Sequence, residues 1–196
     1  MTVTLALSEL RSLITKAARG AGLSWGLSEE AGWAAEWLAR RGMPAADWAT
    51  IWLSARIDGR VSPIEIGAEL SDELSGGRFV EGRALRDGLA APGYLLPFLH
   101  RIADDQAPVA ITSESGNVVL VSADGQVEFG PAWQRRSCGW AISRVAQEVI
   151  FRRSHPGRLP VTRTALERLE ALALRTTVPR SDASRLGAGS ATGDND

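Results

Sequence analysis

An internal disulfide is closed to this chain. It holds one cysteine, Cys138, among 196 residues, so no internal bridge can form, and that suits a reducing compartment. Histidine is almost as scarce, with His100 and His155 alone. One cysteine and two histidines fall short of the usual closed zinc set, and neither HExxH nor a paired CxxC occurs. Lysine is rarer still: Lys16 is the only one, and the other basic side chains are arginines. No apolar run approaches the roughly 18 residues needed to cross a membrane. The N-terminus has no basic segment followed by a continuous apolar stretch, so no signal peptide is expected. There is also no surplus of charge. With 22 basic against 23 acidic residues and a formal net charge of -1, no electrostatic footprint for nucleic acid appears, nor a polybasic segment for a membrane surface. The expected location is the cytoplasm.

What is present reads first as helices. In LSELRSLITKAARGAG, residues Leu10, Leu13, Ile14, Ala17, Ala18 and Ala21 recur at helical spacing, with Ser8 as the expected N-cap and Gly20 and Gly22 as the stop. A second helix is expected from Ser28 to Arg41, ended by Gly42. Its inward stripe is Ala31, Ala34, Ala35 and Leu38. A third follows in PAADWATIWLSARIDG, with Trp48, Ile51, Trp52 and Ala55 on one face. The fourth has the sharpest start: Ser62 and Glu65 form a capping box around Pro63. Residues 76–92 read as loop or short helix, and YLLPFLHRIADD as a short apolar helix interrupted by Pro97.

The period then changes. The stretch from Ala107 to Pro131 is rich in Val and Ile, divided by Ser115-Gly116-Asn117 and by Asp124-Gly125. Three antiparallel strands are expected, near 108–113, 117–122 and 126–130, with an extended segment at 146–153 pairing beside them. HPGRLP breaks the chain. A last helix is expected in TALERLEALALRTT behind a Thr164/Glu167 box, with Leu166, Leu169 and Ala173 inward. The fold class is therefore α+β: an N-terminal helical bundle packed on a small antiparallel β-meander, then a C-terminal helix and a glycine-rich tail. One domain spans 1–180, helical over 1–106 and β plus final helix over 107–180, and 181–196 form the tail.

Two segments carry unusual chemistry. KAARGAGLSWG places Lys16 and Arg19 at a helix end, then Gly20, then Trp25 beside the next helix start. Basic residues and glycines are ordinary at a helix C-terminus, yet the same set can hold an anion. In the tail, Ser184 and Arg185 offer donors, Arg185 being a carboxylate or phosphate clamp. Gly187 and Gly189 permit close backbone approach, and Asp194 adds a carboxylate. These nine residues are the ligand-binding candidates. The seven tryptophans include Trp33 and Trp37, one helical turn apart at the edge of the inward stripe. They are candidates for a partner interface, against the plainer reading of rings filling a helix contact.

The opening LSELRSLITKAARGAGLSWGLSEEAG and the close VPRSDASRLGAGSATGDND resemble the two ends of an uncharacterised bacterial family, a domain of unknown function. The ADGQVEFGPAW and LERLEALALRTTVP stretches resemble its middle and late parts, and 76–106 match it least. The resemblance implies a standalone bacterial unit whose tail belongs to the domain. It implies no activity, so no catalytic residue is carried over.

The leading expectation is a soluble accessory or binding protein acting with a metabolic enzyme or a small anionic metabolite. One alternative is a small enzyme, with its site formed by 16–26 and the tail. There Arg19 and Arg185 would hold a carboxylate, and Lys16 or Asp194 would move a proton. The other alternative is a homodimeric structural protein. No cofactor and no metal site are expected. The expected partners are a protein, a second copy, or a small carboxylate or phosphate, but neither nucleic acid nor membrane.

Overall fold

The computed structural model describes residues 1–75, 82–85, 89–103, 108–113, 116–129, 141–144 and 158–176. The chain does not begin as a helix. Thr2–Ala6 form a strand, β1, because TVTLA alternates β-branched and apolar residues and finds a partner far along the sequence. That partner is β7, Arg158–Thr162, paired antiparallel from Thr2↔Thr162 to Ala6↔Arg158. The stretch expected to break the chain is therefore partly a strand. Leu159 and Val161 point inward and their neighbours outward, at period 2. Pro160 is tolerated because a two-stranded ribbon consists only of edges.

Helix α1 follows directly, Leu7–Gly20. Its cap is Ala6 rather than Ser8, with the Glu9 carboxylate reaching back to accept from the Ala6 N–H at 2.7 Å. Helix α2 spans Trp25–Arg40, one turn earlier than expected. Ser24 accepts from the Leu27 N–H at 3.4 Å as its cap, while Ser28 is buried and donates to the Ser24 carbonyl. The inward stripe Ala31, Ala34, Ala35 and Leu38 is fully buried. In α3, Ala45–Ile57, the buried side is Ala45, Ala46, Ala49, Trp52 and Leu53. Ile51 is exposed, so the expected face is rotated.

Helix α4, Pro63–Ser75, opens as expected. The Ser62 N–H donates to Glu65 at 2.9 Å, and the Glu65 N–H donates to the Ser62 hydroxyl at 3.2 Å. A short strand β2, Arg83–Ala84, precedes a 3-10 turn, Pro92–Leu95, and helix α5, Leu96–Ile102. Pro97 lies in the first turn of α5 and interrupts nothing, since its missing N–H has no acceptor there.

Strands β3 (Val109–Ser113), β4 (Gly116–Val121) and β5 (Val127–Phe129) form the expected meander. Strand β6, Ala141–Arg144, pairs antiparallel with β3. The segment 146–153, expected to be extended, lies outside the described residues. The sheet order is β2-β6-β3-β4-β5, with every neighbouring pair antiparallel. Val109, Ala110 and Ile111 alternate faces yet are all buried, as are Val118 to Val121. Helix α5 packs on β3 and β4, so the α+β class and the bundle-on-meander arrangement hold.

The final helix, α6, is Arg163–Leu174. It is capped two residues early, by Thr162 accepting from the Ala165 N–H at 3.2 Å. Leu169 and Ala173 are buried and Leu166 packs against the core. The helix lies against α1, in the helical body. The approach is tight: a β-carbon on Gly20 would overlap the Leu172 carbonyl. On another side of α1, a β-carbon on Gly32 of α2 would run into the Thr15 hydroxyl and the Arg11 carbonyl.

Two substitutions check this packing. Gly20→Ala meets backbone that cannot move aside, so it should cost about 1–3 kcal/mol despite the better helix former. Gly26→Ala, with open space at its β-carbon, should be neutral or slightly stabilising. Equal denaturant midpoints for the two variants would contradict the close approach.

Candidate interaction groove

The residues singled out between 16 and 26 do not converge on one point. Gly20 is filled by α6. The Arg19 guanidinium donates to the Leu23 carbonyl at 2.6 Å and lies 5.8 Å from the Trp25 ring centroid. It closes the turn between α1 and α2, while Trp25 stays 63% exposed. Lys16 points elsewhere, into a groove between α1 and α6 of about 650 Å³. Ser184, Arg185, Gly187, Gly189 and Asp194 lie outside the described residues.

The groove follows from helical spacing. Ser8, Ser12 and Lys16 are four residues apart and form one row on α1, with Glu9 and Leu13 as the adjacent row. The last turns of α6 give the other wall, through Glu170, Ala173 and Leu174. Leu13 is half-buried and Ala173 buried, but Leu174 is 66% exposed. An apolar floor thus lies open between charged rims, as binding surfaces often do. The Glu9 carboxylate is tied to the Ala6 N–H. Among the described residues, Lys16 and Glu170 have no ion-pair partner. Glu170 and Leu174 were missed in the sequence because a lone helix shows only that they are outward. Their i, i+4 spacing was visible, but the neighbouring wall was not.

Trp33 and Trp37 face α5. The Trp33 ring meets Phe98 edge-on at 5.4 Å and lies 3.6 Å beneath the Arg101 guanidinium, and Arg101 also pairs with Glu30 at 3.1 Å. Trp37 is 8% exposed. It lies between the His100 ring, 5.6 Å away, and the Arg41 guanidinium, 3.5 Å from its centroid. Both rings are thus engaged within the chain, at the seam of α2 and α5.

Arg41 then reaches the sheet. Its Nε donates to the Gly125 carbonyl at 2.5 Å in the hairpin between β4 and β5. Half-burial lowers its pKa to about 10, opposed by the nearby Asp124 carboxylate, so it stays charged at neutral pH. His100 Nδ1 lies 3.3 Å from the Ser122 carbonyl, which fits a neutral ring donating from that nitrogen. Burial pushes the His100 pKa below its ordinary 6.5; the Ser122 contact works the other way, and the Arg41 charge adds to the lowering. No group of three or more His, Cys, Asp or Glu that could hold a metal occurs among the described residues. No helix among them is long and apolar enough to cross a membrane.

Comparison with known proteins places the first third of this framework. Residues 5–62, covering α1, α2 and α3, match the family model described as Protein of unknown function (DUF3726). The match contains the α1 wall of the groove and both Trp33 and Trp37, but not α6. It supports the resemblance to a family without assigned activity. No curated protein matches the chain, and no solved structure does.

The His100 environment has a sign that can be checked. A histidine kept neutral by folding stabilises the fold above its unfolded pKa. That contribution is lost as pH falls from about 6.5, because the unfolded chain takes the proton first. His100→Gln should therefore flatten the stability profile between pH 6.5 and 5.5 in urea titrations. An unchanged slope would contradict the assignment. Arg41→Met should cost about 2 kcal/mol at pH 7 through the lost charged hydrogen bond and ring contact.

Proposed function

We propose that this is a bacterial, cytoplasmic accessory protein that works by docking another protein surface in the groove between α1 and α6. The observation that carries the reading is the open apolar floor of Leu13, Ala173 and Leu174 between the charged rims. Leu174 is 66% exposed, and an apolar strip of this kind gains from being covered. Glu170 on the opposite wall makes the groove a poor seat for a free anionic metabolite, because its charge opposes that of Lys16. It suits a surface that offers both signs. Neither a cofactor nor a metal belongs to this reading, nor does nucleic acid or membrane, in keeping with the balanced net charge.

The dye anilinonaphthalene sulfonate, an apolar body with one negative charge, is a suitable probe of the floor. Its fluorescence should rise on saturable binding to the folded Glu170→Lys variant, which removes the opposing charge. Adding Leu13→Asp should abolish the rise while thermal unfolding stays cooperative. A response indifferent to Leu13→Asp would overturn the groove as the working surface.

A further inference from the structure

We propose that the surface docked in this groove is a second copy of the same chain, related by a two-fold axis. The inference rests on the reading of the groove as a docking surface and names its occupant. In a two-fold contact, residue i meets residue j while j meets i, so the patch must complement itself. This groove meets that condition. Its cation, Lys16, stands on the α1 wall and its anion, Glu170, on the α6 wall, both unpaired among the described residues. Turning a second copy over the groove lays α1 of each chain against α6 of the other. Lys16 then faces Glu170 of the second copy, and Glu170 faces Lys16 of that copy. Leu13 and Leu174 of both chains fill the space between.

The third groove charge does not disturb this match. The Glu9 carboxylate accepts the Ala6 N–H at 2.7 Å, so it is already partnered at the start of α1. The resulting contact brings four helices together, an arrangement that buries apolar stripes efficiently. A partner with a uniformly acidic surface would satisfy Lys16 but meet Glu170 and Glu9 with like charge, and a basic one would meet Lys16. Opposite signs on opposite walls favour the chain's own surface. The two tryptophans of α2 are not needed for pairing, because both are engaged against α5.

Sedimentation equilibrium of the full chain across a concentration series tests this. The expected result is a reversible association from 21.0 kDa to twice that mass. Lys16→Glu and Glu170→Lys should each weaken association by about tenfold or more, since each reversal acts twice per dimer. The double variant should recover most of the loss. Leu13→Asp should leave only monomer, with circular dichroism confirming the fold of every variant. A monomer at all concentrations, or a dimer insensitive to both single reversals, would overturn the proposal. Single reversals that weaken pairing without recovery in the double variant would overturn the two-fold registration of Lys16 with Glu170. If the chain is monomeric but the dye still finds the groove in the Glu170→Lys background, the docking reading stands and a different protein is the occupant. If both fail, neither reading survives.

Discussion

Helix α1 can be the hub of this protein because two neighbours approach it at backbone distance. Gly20, near its C-terminal end, admits the Leu172 carbonyl of α6, and Gly32 of α2 lets that helix settle onto the Arg11 and Thr15 turn. Larger residues would hold these helices apart by the width of a side chain, and the fully buried Leu10, Ile14, Ala17 and Ala18 would lose contacts. The ribbon of β1 and β7 supports the same geometry. It pairs the segment just before α1 with the segment just before α6, and the two helices leave from opposite ends of the antiparallel ribbon. The groove is a consequence: tight contact near Gly20 leaves the outward rows of α1 only partly covered by α6.

The second constraint lies between the helical body and the sheet. Arg41 stacks on Trp37 and donates to Gly125, while His100 contacts Ser122 from α5. A half-buried guanidinium is costly unless a ring and an acceptor receive it, and both are supplied by different elements. The same device recurs one turn earlier, where Arg101 covers Trp33 and pairs with Glu30. Aromatic rings and arginines thus join layers inside the chain. An apolar surface left for an outside partner lies between α1 and α6, where Leu174 is 66% exposed.

Much of the local structure was legible because short-range chemistry fixes it. The Ser62/Glu65 box started α4 at the residue expected, the Asp124-Gly125 signal marked the turn between β4 and β5, and the alanine stripe of α2 turned inward. Errors arose where the deciding group was remote. TVTLA and RLPVT are each weak as strands, since a ribbon strand needs a partner and the partner of Thr2 is Thr162. On α3, Trp52 met Tyr94 and Trp48 met Gly93 on the expected face, but the buried side is rotated to include Ala45, Ala49 and Leu53 and to leave Ile51 out, a choice made by surfaces that α3 itself does not show. Cap positions slipped where two candidate hydroxyls lay close together, Ser24 with Ser28 and Thr162 with Thr164.

The candidate site divides along the same line. Lys16 was conspicuous as the sole lysine, and its row with Ser8 and Ser12 follows from helix geometry. Arg19 and Gly20 lie at i+3 and i+4 from Lys16, on nearly the same side of α1, yet they serve other contacts: Arg19 donates to the Leu23 carbonyl, Gly20 is covered by α6, and Trp25 belongs to α2. The sequence by itself determined the helices, the meander, the balanced charge and the identity of the unusual residues, since these depend on periodicity, capping and composition. Only the tertiary structure decided that α6 returns to α1, that the tryptophans of α2 face α5, and that Lys16 shares a groove with Glu170. Those outcomes depend on which distant surfaces bury each other, and burial between residues more than sixty positions apart leaves no local mark.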